Sequence, residues 1–252
     1  MPKVLLERRG RVAIVTLDND ERRNALSFEM RQGLREAFDE FDADGSIGCV
    51  VLTANGRAFC AGADLKEMAQ LKTTIPPPEF ALLIGSKGSI AKPVIAAVNG
   101  AALAGGFALV QECDLVVAST AATFAITEVH RGRGAPWATP LISMMGQRHM
   151  MELLLTGRPI SAERAAEFGF VNHVVPPEEL LERALSIAEV IAGAAPISVR
   201  AAKELVRTAA EVGVAEARQR AEEIYEPVYL SQDAQEGPLA FAEKRDPVWT
   251  GT

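Results

Sequence analysis

Histidine, cysteine and surplus positive charge are all scarce in this 252-residue chain, and each shortage closes off a class of function. The three histidines are His130, His149 and His173. None stands in a His-Glu-x-x-His spacing or has a second ligand at a regular interval, so no metal centre is expected. The three cysteines, Cys49, Cys60 and Cys113, are odd in number and far apart. That pattern argues against a disulfide framework and for packing residues in a reducing compartment. Lysine and arginine total 26 against 33 aspartates and glutamates, a net charge of -7 that leaves nothing over to neutralise phosphates. A nucleic-acid partner is therefore not expected. There is also no Gly-x-Gly-x-x-Gly and no P-loop lysine, which argues against dinucleotide and triphosphate binding and against a Rossmann oxidoreductase.

A signal peptide is likewise missing. The N-terminus is charged from Lys3 onward and has no apolar core, so the expected compartment is the cytoplasm. Pro93 to Val110 carries no charged side chain and approaches the ~18 residues that suggest a membrane span. Pro93, Asn99, Gly100, Gly105 and Gly106 interrupt it, however, and alanine and glycine, which add little transfer energy, make up half of it. It reads as a strand, a turn and a closely packed helix, with no membrane partner implied.

What the chain does have is alternation. Val12 to Leu17 and Cys49 to Thr53 are β-branched runs, and between them Met30, Leu34, Ala37, Phe38 and Phe41 recur at helical spacing behind a Ser27 cap. Val94 to Val98 and Asp114 to Ala118 are two more strand-like runs, with a short helix expected over Gly105 to Glu112. Ala122 to Thr127 and Phe170 to Val175 are further expected strands; helices are expected over Ser143 to Leu155 and Ser161 to Phe168. The class is α/β. After Ala195-Pro196 the pattern changes to charged helical segments, Ser198 to Arg220 and beyond. The chain thus divides into a core over residues 1–195 and a C-terminal helical portion over residues 196–252. No fixed-period repeat is present, and strand order is not legible.

Two segments have the composition of ligand-approaching bends. Arg57 to Met68 runs from a strand into a helix through the small residues Ala61, Gly62 and Ala63. Asn99 to Phe107 repeats the arrangement through Gly100 to Gly106. Free N–H groups at a strand-to-helix junction are natural donors to an anion or a polarised carbonyl oxygen. Two such donors meeting at one oxygen form an oxyanion hole, in which a single donor is worth on the order of 3 kcal/mol to the transition state. Each bend serves either that purpose or simple tight turning, and the residues alone do not choose.

The two bends in sequence, Ala-Phe-Cys-Ala-Gly-Ala-Asp-Leu-Lys-Glu-Met from Ala58 and Asn-Gly-Ala-Ala-Leu-Ala-Gly-Gly from Asn99 with Cys113-Asp114 downstream, resemble the enoyl-CoA hydratase/isomerase (crotonase) superfamily. The resemblance runs from Arg23-Asn24-Ala25-Leu26 to Asp233, Glu236-Gly237, Ala240-Phe241, Glu243-Lys244-Arg245 and Pro247. It implies a crotonase-like spiral of β-β-α units closed by C-terminal helices that serve oligomerisation, in a homotrimer or dimer of trimers. It also implies an acyl-CoA substrate, with coenzyme A part of the substrate and no separate cofactor. The coenzyme would lie near Arg23, Ala25, Ala61, Asp64, Leu65 and Lys66, and the N–H groups of Ala63 and Gly105 would face the thioester oxygen.

Family members commonly carry one glutamate three residues beyond the oxyanion glycine and another in the later strand-to-loop segment. Here those positions are Ala108 and Glu128. By itself Glu128 is either an exposed loop residue or, at the end of the apolar run Phe124-Ala125-Ile126, a buried carboxylate of raised pKa suited to general-base work. The resemblance selects the second. Glu112 lies one turn, ~5.4 Å, beyond Ala108 and away from the oxyanion glycine. Hydratases usually divide their work between both glutamates, whereas moving a double bond from the 3- to the 2-position needs only one. The expected activity is therefore 3-enoyl to 2-enoyl isomerisation, an inclination that Gly134-Ala135-Pro136-Trp137 shares with mitochondrial-type isomerases. Single-glutamate hydration is the alternative. An inert relative that scaffolds an oligomer or binds RNA is a third, against which the acidic charge and the retained Glu128 weigh.

Three features stay open at this stage. His130 either tunes Glu128 or decorates a loop. Trp137 either walls the acyl pocket or belongs to ordinary core. Lys72 to Phe80, with Pro76-Pro77-Pro78, reads as a flap over the acyl site.

Overall fold

Five apolar runs lie side by side as parallel strands in the computed structural model, which describes residues 3–72, 75, 80 and 83–252. They are β2 (Val12–Asp18), β3 (Cys49–Ala54), β4 (Val94–Val98), β6 (Leu115–Ser119) and β9 (His173–Val175), ordered β2-β3-β4-β6-β9. A strand not expected from the charged N-terminus, β1 (Lys3–Arg9), adds to the edge antiparallel to β2. Its residues from Leu5 to Arg9 are all exposed and three of them, Glu7, Arg8 and Arg9, are charged, as suits a sheet edge, and no apolar alternation signals a strand.

The central strands are apolar at nearly every position because both faces are covered. Val50, Leu52, Val94, Ala96 and Val98 point to the main core, against α1 (Phe28–Ala43) and the site elements. Cys49, Val51, Ile95, Ala97 and Val117 point to the other face, against Leu180, Ala184, Leu185 and Ala188 of α7 (Leu180–Ala192). The period-2 alternation sorts neighbouring residues into two separate cores. Each fully buried valine, leucine or isoleucine contributes about 1.5–3 kcal/mol.

A second sheet, β5-β7-β8, contains β5 (Ala101–Leu103), β7 (Thr123–Ala125) and β8 (Ile160–Ser161). The chain visits the two sheets in turn: β4 then β5, β6 then β7. Cys60 extends the pattern, bridging Ala102 in parallel after β3. Each visit ends in a helical segment: α2 (Leu65–Leu71), α3 (Gly105–Gln111) and the 3₁₀ turn Thr127–Arg131. This is the spiral of β-β-α units that the resemblance implies.

Several boundaries differ from expectation. The single helix over 143–155 is two, α4 (Leu141–Met145) and α5 (Gln147–Thr156), broken at Gly146, whose φ of 80° ends a helix. The long C-terminal helix is likewise divided at Gly213 into α8 (Pro196–Val212) and α9 (Val214–Tyr229), followed by α10 (Asp233–Glu243). The 122–127 strand closes at Ala125, so Glu128 sits in a 3₁₀ turn and not at a strand end. The 170–175 strand begins only at His173. The expected helix over 161–168 is α6 (Ala162–Glu167), capped by Ser161. Most of the expected flap, including Pro76-Pro77-Pro78, lies outside the described residues. Among the described residues no single helix is long and apolar enough to cross a membrane.

Candidate active site

The two small-residue bends meet. Cys60 N–H donates to Ala101 O at 3.0 Å, and Leu103 N–H donates to Cys60 O at 2.9 Å, so the approach to Ala63 and the approach to Gly105 run as neighbouring strands. A Cβ placed on Gly106 would stand 2.2 Å from Cys60 O, so only glycine permits this approach. A Cβ placed on Gly62, whose φ is 86°, would be 3.1 Å from Gly105 N, and one on Gly105 would be 3.6 Å from Ala63 N. The N–H groups of Ala63 and Gly105 thus border the same small space, and both residues are half-exposed. Gly105 opens α3, where N–H groups have no intrahelical acceptor. Ala104 just before it holds φ 51° and ψ -119°, a strained conformation for alanine of the kind found at functional bends.

Register brings Glu128 to the same end. β7 runs parallel to β5 with Ala125 opposite Leu103, and Ala104 N–H donates to Ala125 O at 2.9 Å. The chain therefore leaves β7 toward Glu128 beside the point where it leaves β5 into Gly105. One carboxylate oxygen, Oε1, accepts from Trp137 Nε1 at 2.8 Å; Oε2 is buried without a partner among the described residues. Burial raises the Glu128 pKa, and the bonds from the Trp137 indole and from its own backbone N–H only partly offset that. Phe170 meets Phe107 and Phe124 edge-to-face, Phe107 and Phe124 are tilted against each other, and Trp137 lies against Phe107 at 5.9 Å between ring centroids.

Ala108, the position at which the family resemblance implies a first glutamate, is buried on α3 and offers no acid or base. Glu112 caps the opposite end of α3, about 10 Å along the axis from Gly105. It lies beside α8, where Arg207 Nη2 donates to its carbonyl at 3.1 Å.

The segment expected to meet coenzyme A forms the near rim. Ala61 N–H donates to Arg23 O, and Leu26 N–H to Gly62 O, at 2.9 and 2.8 Å, which joins 23–26 to the Ala63 bend. Arg23, Leu65 and Lys66 are exposed and Ala25 is half-buried. Among the described residues neither Arg23 nor Lys66 has a carboxylate partner. The Asp64 side chain is committed elsewhere: it caps α2 through Lys66 and Glu67 N–H and pairs with Arg22 at 2.8 Å.

Two supports went unrecognised in the sequence. Asn24, fully buried at φ 52°, accepts from Asn19 N and donates to Asn55 O and Ala58 O, pinning three loops beneath the Ala63 bend. Buried Arg31 donates to Leu26 O, pairs with Glu67 at 2.7 Å and lies 4.0 Å under the Phe80 ring. Asn24's presence in the 23–26 motif was a usable signal. A charge on the apolar face of α1 was a usable signal for Arg31.

The histidines stand apart. His130 is exposed with its ring against Gly157; His149 bonds Met145 O and stacks on Phe168; His173 lies near Arg183. Among the described residues no group of three or more His, Cys, Asp or Glu side chains is placed to hold a metal. The three thiols are free and buried, and burial pushes Cys49 and Cys60 up to about 12, so they are neutral packing groups.

A family model described as enoyl-CoA hydratase/isomerase matches residues 7–252. Enoyl-CoA hydratase EchA19 of Mycobacterium tuberculosis is 39% identical, over 98% of this chain and 96% of that protein. The crystal structure of enoyl-CoA hydratase from Mycobacterium tuberculosis H37Rv superposes with a TM-score of 0.90 at 37% identity, covering 100% of both chains. That of enoyl-CoA hydratase from Bacillus anthracis gives 0.90 at 33% identity over 99% of each. Likeness at this level from end to end, on a spiral that brings two bends and a half-buried carboxylate to one edge, makes the chain a member of the enoyl-CoA hydratase/isomerase family, in the crotonase superfamily.

Proposed function

We propose that the protein moves the double bond of a 3-enoyl-CoA to the 2-position through an enolate, with Glu128 as the single proton carrier. The Glu128 carboxylate takes the C2 proton, and the electron pair passes into the thioester, whose oxygen is received by the N–H groups of Ala63 and Gly105. The same carboxyl then returns the proton at C4, and the C3–C4 double bond becomes C2–C3. Each donor supplies on the order of 3 kcal/mol, since charge on the oxygen develops mainly in the transition state.

The observation that carries this is the pairing of Glu128 with Ala108. Burial raises the pKa of two carboxyls, but Glu112 stands at the far end of α3, so Glu128 is the one beside the bends, and the second acid–base position is a methyl group. A single shuttling carboxylate suffices for the isomerisation. The rim residues Arg23, Ala25, Ala61, Asp64, Leu65 and Lys66 receive the coenzyme, with the exposed Arg23 and Lys66 cations suited to its phosphates. Asp64 contributes through its position and not through its already bonded carboxylate.

Single-glutamate hydration of a 2-enoyl-CoA is the second reading, and the relatives named as hydratases support it. The test is incubation with matched 3-enoyl-CoA and 2-enoyl-CoA substrates, products followed by mass, with Glu128→Ala as control. Conversion of the 3-enoyl substrate at constant mass supports isomerisation. Gain of one water from the 2-enoyl substrate supports hydration.

The helices of residues 196–252 serve assembly into a homotrimer or dimer of trimers. The exposed Val206, Val214, Tyr229 and Phe241 on them support this, being more apolar surface than a solitary helical appendage needs. Sedimentation of the purified protein tests it. The reducing cytoplasm is the compartment that free buried thiols suit.

A further inference from the structure

The two oxygens of Glu128 are not equivalent. Oε1 is held by the Trp137 indole N–H at 2.8 Å, while Oε2 is buried and unpartnered among the described residues. Trp137 is in turn fixed from α3. Gln111 Nε2 donates to Trp137 O at 2.9 Å, and the Phe107 ring lies against the indole. Pro136 and the bond from Ala138 N–H to Ala135 O, 3.0 Å, stiffen the turn that carries the indole. Gln111 and Phe107 belong to the same helix whose first residue is Gly105. One short helix therefore presents the Gly105 N–H at its start and anchors the indole that holds the carboxylate.

We propose that Trp137 is the positioning residue of this active site: its indole N–H clamps Glu128 Oε1, so that Oε2 is the atom that takes and returns the proton. This rests on the reading of Glu128 as the acid–base residue. The terminal torsion of a glutamate is broad, and an unclamped carboxylate would turn freely and present either oxygen. A lone carboxylate that must reach two carbons of one bound chain needs its reactive oxygen held on a fixed line. The clamp also stabilises the ionised form, so losing it moves ionisation to higher pH. The faces toward α3 and the indole are neutral, made by Gln111, Phe107 and Trp137. The ionisable groups on the elements around Glu128 are His130 and Arg131 on its own turn, Arg133 just beyond it, and Arg148, His149 and Glu152 on α5, which packs against that turn.

The deciding variant is Trp137→Phe, assayed on 3-hexenoyl-CoA and 2-hexenoyl-CoA across pH beside Glu128→Gln. The expected result is a kcat lower by about tenfold or more with KM within about threefold, and an acid limb of the kcat profile displaced to higher pH. Unchanged kcat with superimposable profiles overturns the proposal. A second measurement needs no substrate and leaves Trp137 in place. The chain has two tryptophans, so in ¹⁵N-labelled Trp249→Phe protein the remaining indole N–H signal is that of Trp137. That signal is expected to move through a single titration and to stop moving when Glu128→Gln is added. An indole signal indifferent to both pH and Glu128→Gln overturns the clamp. Full turnover by Glu128→Gln would instead show that the assigned base is wrong, while the indole titration still decides whether Trp137 holds Glu128.

Discussion

The N–H of Ala104 donates to the carbonyl of Ala125 at 2.9 Å, and this bond ties the bend that opens on Gly105 to the strand that leads into Glu128. The proposed donor Gly105 and the proposed base Glu128 are thus set by adjacent strands of one small sheet, three residues from a shared rung at most. Displacement of either bend is felt by both.

Gly105→Ala tests the donor side of that arrangement. The new methyl would lie 3.2 Å from the movable Leu26 Cδ1 and 3.6 Å from Ala63 N, so the fold accommodates it, but it enters the space between the two N–H groups. The expected outcome is a kcat reduced by about tenfold or more. The thermal midpoint should change by no more than a few degrees. Full activity would show that the thioester oxygen is not received there.

Glu128→Gln should abolish turnover and yet stabilise the protein. The folded pKa of Glu128 is raised by burial, so its contribution to stability is complete below the unfolded carboxylate value of about 4.3 and is lost as pH rises through the folded value. At neutral pH the native state therefore bears the burial of a charge that glutamine does not carry. Thermal melts at pH 7 should place the variant above the parent, with the gap closing toward pH 4. For the same reason the parent's activity should fall on acidification at a pH above the ordinary carboxylate range.

Lys203 on α8 reaches Asp114 Oδ2 and the carbonyl of Lys92, each at 2.7 Å, in a nearly closed setting. Burial pulls the lysine pKa down more than Asp114 raises it, so the pair gains little over an apolar one. Breaking one side is what costs. Lys203→Met, which leaves Asp114 to Arg207 and the Val94 N–H, should lower stability by about 3 kcal/mol. Lys203→Met with Asp114→Asn should cost less than the sum of the single changes in denaturant titrations.

Arg245 grips both oxygens of Glu236 and holds its pKa down at about 2, with the Val248 N–H assisting. A depressed carboxylate stabilises above its unfolded value of about 4.3 and loses that contribution as pH falls toward the folded one. The tail after Glu243 should therefore become open to pepsin between about pH 4 and pH 2. Glu236→Gln should be cut there equally fast at both ends of that window.

Much of the fold was legible because its central strands, buried on both faces, are apolar throughout, and because Ser27 and Ser161 are ordinary caps. The breaks at Gly146 and Gly213 were not, since a helical pattern continues on both sides of each and a glycine inside it reads as a tolerated weakness. β1 escaped because, at the sheet edge with Leu5 to Arg9 all exposed, it carries no apolar periodicity. Of the candidate site, Ala63, Gly105 and Glu128 were proposed from motif likeness, and the fold brings their segments to one end of the small sheet. Trp137 was noticed only as a candidate wall, and Gln111, Asn24 and Arg31 were not singled out, because their partners are backbone atoms and side chains distant in sequence.

The amino-acid sequence by itself determined the α/β class, the two small-residue bends, the absence of a second glutamate at Ala108 and the family these resemble, since each is a matter of local composition and spacing. Tertiary structure alone decided that the bends at Ala63 and Gly105 border one space, that Glu128 leaves its strand beside them, and that Trp137 takes one carboxylate oxygen and leaves the other without a partner among the described residues. The physical reason is that these relations depend on the parallel register of β5 and β7 and on hydrogen bonds between segments far apart in the chain. Local periodicity carries no information about which strands become neighbours.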